Sequence, residues 1–133
     1  MIILLDTNVL IAAFVARGFC HELLEHCVRQ HSLVTSDFII DEFRDKLSHK
    51  LKFKPDSINQ AVELLLTRMQ VVESTSLSQR VCRDPNDDPV LAAAIAGKCD
   101  CIITGDKDLL VLKEYDGIEI VSPGDFREYE QRK

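Results

Sequence analysis

An α/β fold with a central parallel sheet is predicted by three features of the chain. Short apolar runs alternate with segments whose apolar residues recur at helical spacing, the pattern of strand–helix units. The first run, Met1 to Leu5, ends abruptly on Asp6, as a buried strand does when it delivers a polar group at its carboxyl tip. Gly18, Pro55, Gly105 and Pro123 punctuate the chain where elements should end.

Ile2 to Leu5 is the first strand, followed by a helix carried by Val9, Leu10, Ala13 and Phe14 and broken at Gly18. A second helix runs from about Cys20 to Gln30, with Leu23, Leu24 and Cys27 inward, and Leu33 to Thr35 forms a short strand. Ser36 suits the N-cap of a helix whose apolar stripe is Ile40, Phe43, Leu47 and Leu51. Pro55 with Asp56 or Ser57 starts another, carried by Ile58, Ala61, Val62, Leu65 and Leu66, and Met69 to Val72 reads as a strand. Ser74 to Asp87 is polar, a loop or short helix. Asp88 is placed as the N-cap and Pro89 as the first residue of a compact helix reaching Gly97. Cys101 to Thr104 and Ile118 to Val121 are the remaining strands.

With 133 residues, 46% hydrophobic and 29% charged, residues 1–133 are expected to form one domain around one core. No apolar stretch approaches the roughly 20 residues that span a bilayer, so no membrane association is expected. Five cysteines without a C-x-x-C pair suggest neither a disulfide framework nor a zinc knuckle, and they read as small apolar residues of a cytoplasmic protein. The four histidines show no ligand spacing. The net charge of −6 argues against nucleic-acid binding through a broad basic surface. It is compatible with a nuclease whose acids are gathered to hold metal.

The acids fall at informative places. Asp6 ends the first strand, Glu42 lies in the helix after the second, Asp84, Asp87 and Asp88 precede or open a helix, and Asp106 follows the fourth strand. In a right-handed parallel α/β fold these positions share the carboxyl edge of the sheet. Carboxylates brought that close raise one another's pKa unless a cation intervenes. Mg²⁺ or Mn²⁺, hard ions that favour oxygen ligands, would resolve the conflict. One or two such ions would fit, and two about 4 Å apart would support phosphodiester hydrolysis.

Each acid also has a plainer reading. Asp6 and Asp88 suit helix caps, Glu42 taken alone suits a solvated surface, and Asp108 reads as solvated. Thr104-Gly105-Asp106 is harder to reduce to a turn, because it sets a hydroxyl and a carboxylate just beyond a buried strand.

Leu5-Asp6-Thr7-Asn8, the helix-borne Glu42, Asp87-Asp88-Pro89-Val90-Leu91-Ala92-Ala93 and Ile103-Thr104-Gly105-Asp106-Lys107-Asp108-Leu109-Leu110 together resemble a PIN domain. The resemblance spans essentially the whole chain and is closest to the stand-alone prokaryotic PIN toxins of toxin–antitoxin systems. It implies a Rossmann-like three-layer α/β/α sandwich and a Mg²⁺- or Mn²⁺-dependent ribonuclease. By position it implies catalytic and metal-binding roles for Asp6, Glu42 and Asp106. The remaining acid is Asp88, or Asp87 in the register of members with Asp-Asn at this place; Asp88 is slightly favoured, with Asp87 as an alternative or supporting ligand. Asn8 and Thr104 would orient the first acid and the metal-bound water. A homodimer and a cognate antitoxin protein are further implications.

Arg17, Arg83 and Lys107 are the candidates for contact with RNA phosphates. The basic run from Arg44 to Lys54 reads first as a solvated helix face. Aromatic residues, 6% of the chain, offer no stacking platform. The principal alternative is a catalytically weak PIN-fold interaction module regulated by, or scaffolding, a protein partner. A haloacid-dehalogenase-type phosphohydrolase also starts from a strand-end Asp, but it needs an acid where Asn8 stands.

Overall fold

The computed structural model describes all 133 residues. Six strands form one sheet: β1 (Ile2–Leu5), β2 (Ser32–Thr35), β3 (Gln70–Val71), β4 (Cys101–Ile103), β5 (Glu114–Tyr115) and β6 (Ile118–Val121). Their order is β3-β2-β1-β4-β6-β5, parallel except for β5, which pairs antiparallel with β6. Seven helices surround it: α1 (Thr7–Val15), α2 (Phe19–Gln30), α3 (Asp37–His49), α4 (Pro55–Arg68), α5 (Asp88–Ala96), α6 (Lys107–Leu110) and α7 (Phe126–Gln131). The expected α/β sandwich with a mostly parallel sheet is therefore observed.

β1 sits at the centre because it is the run with no tolerance for water: Ile3, Leu4 and Leu5 are 0 to 2% exposed. It pairs with β2 on one side, Ile3 against Leu33, and with β4 on the other, Leu5 against Ile103. The chain winds toward β2 and β3 first and toward β4 and β6 afterwards. The order reverses between β1 and β4, and a crevice opens at the carboxyl ends of strands at such a switch point. Asp6 N–H donates to the Ile103 carbonyl at 3.0 Å, holding the two strand ends in register there.

Helices pack where their stripes allow. Ser36 caps α3, its hydroxyl accepting from Ile39 N–H, and Ile39, Ile40, Phe43 and Leu47 are buried. The stripe stops at Leu47: α3 ends at His49, and Leu51 is 38% exposed. In α4, Ile58, Ala61, Val62 and Leu65 face inward, whereas Leu66, eight residues from Ile58, has rotated about 80° off that face and is exposed.

The expected N-cap of α5 is corrected. Asp88 is already helical, Asp87 occupies the cap position without a capping hydrogen bond, and the Asp88 carboxylate turns away to accept Val81 N–H at 3.0 Å and Cys82 N–H at 2.8 Å. Ser74 to Asp84 is otherwise irregular, followed by one 3-10 turn, Pro85–Asp87. All five cysteines are free. No single helix is long and apolar enough to cross a membrane.

Candidate functional site

The site is built from the ends of β1 and β4 and the starts of α1, α5 and α6. Asp6 leaves β1 with extended backbone and caps α1, its Oδ1 accepting from Thr7 N–H at 2.7 Å. Its Oδ2 accepts from the Thr104 hydroxyl at 2.7 Å. The same Thr104 oxygen accepts from Asp106 N–H at 3.0 Å. One buried hydroxyl thus fixes the rotamer of the first acid and the backbone that carries the last. Burial, which leaves Asp6 5% exposed, raises its pKa; the bonds from Thr104 and Thr7 oppose this, and the Asp106 charge adds to it. Asp6 proves to be both a helix cap and a member of an acid cluster.

The second part of the cluster comes from farther along the chain. Asp106 caps α6 by accepting Asp108 N–H at 2.8 Å. Asp87, 7% exposed, faces it. Ligand oxygens of Asp87, Asp106 and Asp108 all lie within 4.8 Å of one another. Asp87 is pushed up to about 7, first by burial, then by the neighbouring Asp106 carboxyl and by the charges of Asp84 and Asp6. Its Oδ2 is buried and has no hydrogen-bond partner. A buried oxygen without a donor amid like charges is a place where a cation would be favourable. The all-oxygen donor set fits Mg²⁺ or Mn²⁺.

Glu42 is tied to the residue that follows Asp6. Its Oε1 accepts the Thr7 hydroxyl at 2.8 Å, so α3 reaches the first turn of α1. One turn on, Lys46 donates to Asn8 Oδ1 at 2.7 Å, and its charge favours ionised Asp6. Asn8 therefore binds Lys46 rather than orienting Asp6; that task falls to Thr104 and the Thr7 amide.

Other expectations change with the geometry. Asp88, favoured over Asp87 from the sequence, is not the one beside Asp106: both Asp88 oxygens accept from loop amides, and it is Asp87 that lies next to Asp106. Adjacent helical residues point about 100° apart, and only one of the pair can face the crevice. Asp108 is not simply solvated: Arg83 grips it through Nε and Nη2, both at 2.9 Å, and holds its carboxyl below the usual range. Arg83 is thus at the cluster's rim, and Lys107 is exposed beside Asp106.

Arg17 lies elsewhere. It borders a cavity of about 400 Å³ lined by Phe14, Leu24, Leu64, Leu65 and Arg68, where the end of α1 and α2 meet the end of α4. The end of α4 feeds the amino end of β3, opposite the acids. Within the basic run, Arg44 bonds Asn59 and His49 pairs with Asp45, so both are engaged on the surface. The cysteines stay out of the chemistry: Cys27, Cys82, Cys99 and Cys101 are each pushed up to about 12, chiefly by burial. Thr7 and Lys46 were not singled out from the sequence for these roles; nothing in their local pattern marks them, since both act across the α1–α3 contact.

Comparison with known proteins agrees with this fold. The chain is similar over 92% of its length, and 98% of the other chain's, to a chain in the crystal structure of VapBC2 from Rickettsia felis bound to a DNA fragment from their promoter, with a TM-score of 0.68 and 17% identity. It is similar to a chain of VapBC-1 from nontypeable Haemophilus influenzae over 93% of its own length and 99% of that chain's, with a TM-score of 0.65 and 18% identity. No curated protein matches significantly by sequence. The family model described as PIN domain matches residues 2–108, a span that contains every acid of the cluster, and the chain belongs to the PIN-domain family of nucleases.

Proposed function

We propose that this PIN domain is a Mg²⁺- or Mn²⁺-dependent endoribonuclease and the toxin of a toxin–antitoxin pair. The observation that carries the reading is the unpartnered Asp87 oxygen beside Asp106 at the switch point of the sheet. Asp6, Asp87 and Asp106 would hold the ion, with Glu42 and Asp108 flanking it. Bound there, the ion would lower the pKa of a water and stabilise charge on the phosphate oxygens.

The chain's own side chains do the positioning. Thr104 keeps Asp6 and Asp106 at fixed separation through one hydroxyl. Glu42, held by Thr7, is the acid placed to accept a proton at the edge of the cluster. Arg83 and exposed Lys107 supply positive charge for an RNA phosphate at the rim. Asp88 serves the site indirectly, by pinning Val81 and Cys82 and so the loop that bears Arg83.

An antitoxin partner is supported by similarity to chains of VapBC toxin–antitoxin complexes. The largely apolar cavity at the α1–α2–α4 junction, with Val15 and Leu64 about half exposed in its lining, offers a surface for such a partner, and homodimerisation is part of the same proposal. Cleavage of a defined RNA pool with Mn²⁺ or with chelator tests the activity. Wild type should cut only with metal, and Asp6→Asn and Asp106→Asn should each lose activity by at least about 100-fold. Metal-independent cutting, or full activity in both variants, defeats the proposal.

A further inference from the structure

At the opposite edge of the sheet a second group of side chains converges that the nuclease reading leaves unused. His26 lies in α2, His31 is that helix's C-cap just before β2, and Glu130 comes from α7, about 100 residues later. His26 Nε2 is 2.7 Å and His31 Nε2 is 2.5 Å from the same oxygen, Glu130 Oε2. Their ligand atoms lie within 4.8 Å of one another.

From this convergence we propose that His26, His31 and Glu130 form a second metal site, one selective for Zn²⁺-class transition ions, which fastens α7 to the end of α2. The donor set differs from that of the acids. Two imidazoles and one carboxylate suit Zn²⁺, whereas Mg²⁺ prefers oxygen alone. Three protein ligands leave a fourth tetrahedral position for water.

The scaffold is preorganised. The His31 side chain is only 10% exposed, and its ring stands edge-on to that of buried Phe126, with centroids 6.0 Å apart at 89°. The Met1 nitrogen, 3.2 Å from His31 Nδ1, keeps Nε2 turned toward Glu130. His26 and Glu130, at 40% and 25% side-chain exposure, retain the freedom to part slightly and admit an ion. Without metal the carboxylate takes hydrogen bonds from both rings, which outweigh the effect of burial and keep its pKa below the usual value.

The test uses the full chain carrying Asp87→Asn and Asp106→Asn, which silences the acid cluster. After chelation and dialysis, this variant should bind one equivalent of Zn²⁺ by calorimetry, and Co²⁺ in its place should give the intense visible bands of tetrahedral coordination. Adding His26→Gln or, separately, Glu130→Gln should weaken Zn²⁺ binding at least about tenfold and abolish the bands. Melting curves in chelator report folding of each variant; His26 is exposed enough for its replacement to leave the fold intact. Absence of Zn²⁺ binding to the parent double variant, or binding undiminished by both further substitutions, overturns the proposal.

Discussion

Replacing Asp87 by Asn should stabilise the metal-free protein while removing the proposed metal site. Asp87 is 7% exposed and is pushed from 3.8 up to about 7, by burial first and by Asp106 second. A carboxyl raised in the folded state is protonated in both states below pH 3.8 and ionised in both above pH 7, so its penalty grows between those values and then stays constant. At about 1.4 kcal/mol per pH unit the full penalty approaches about 4 kcal/mol. Screening at the solvated rim, where Arg83 offsets Asp108, leaves about 2 kcal/mol. Asn removes the charge, keeps the shape and donates to Asp106. In chelator at pH 8, Asp87→Asn should therefore melt about 5 °C higher than wild type, and the gain should shrink toward zero at pH 4.5. Mn²⁺ should raise the melting temperature of wild type but not of the variant. A variant less stable than wild type at pH 8 in chelator, or a gain that does not change with pH, would refute the reasoning.

Thr104→Val removes the hydroxyl shared by Asp6 and Asp106; it should weaken Mn²⁺ binding roughly 10- to 100-fold, measured by calorimetry, and unchanged affinity would deny Thr104 its orienting role. Arg83→Ala frees Asp108 from its internal cation and should tighten Mn²⁺ binding roughly two- to fivefold at low salt, with the difference vanishing at high salt. The Thr35 hydroxyl is fully buried without a partner, so Thr35→Val should stabilise the fold by about 1 kcal/mol in urea denaturation; destabilisation would mean that the hydroxyl is satisfied.

Most of the fold is legible where the chain is locally periodic. The buried run before Asp6, the Ser36 cap and the inward faces of α2 to α4 follow from neighbouring residues. Short elements escape this reading. α7 has six residues, and its two anchors, Phe126 and Tyr129, are too few to establish a period. β5 has two, and its only advance signal is the turn Asp116-Gly117, whose positive φ values of 53° and 80° suit the two-residue hairpin that Asp-Gly favours.

The candidate site divides along the same line. Asp6 and Asp106 are marked by position, because a carboxylate at the tip of a buried parallel strand must emerge at the carboxyl edge whatever the other residues do. The choice between Asp87 and Asp88 is not. Both open the same helix, and the decision came from the Val81 and Cys82 amides, which needed an acceptor and captured Asp88. Arg83 on Asp108, Lys46 on Asn8 and two histidines on Glu130 are likewise contacts between elements distant in the chain. Strand, helix and cap tendencies are set by bonds within a few residues and can be read in order along the sequence. Which side chain fills a crevice depends on what the packed chain leaves unsatisfied there, and only the assembled sheet and helices decide it.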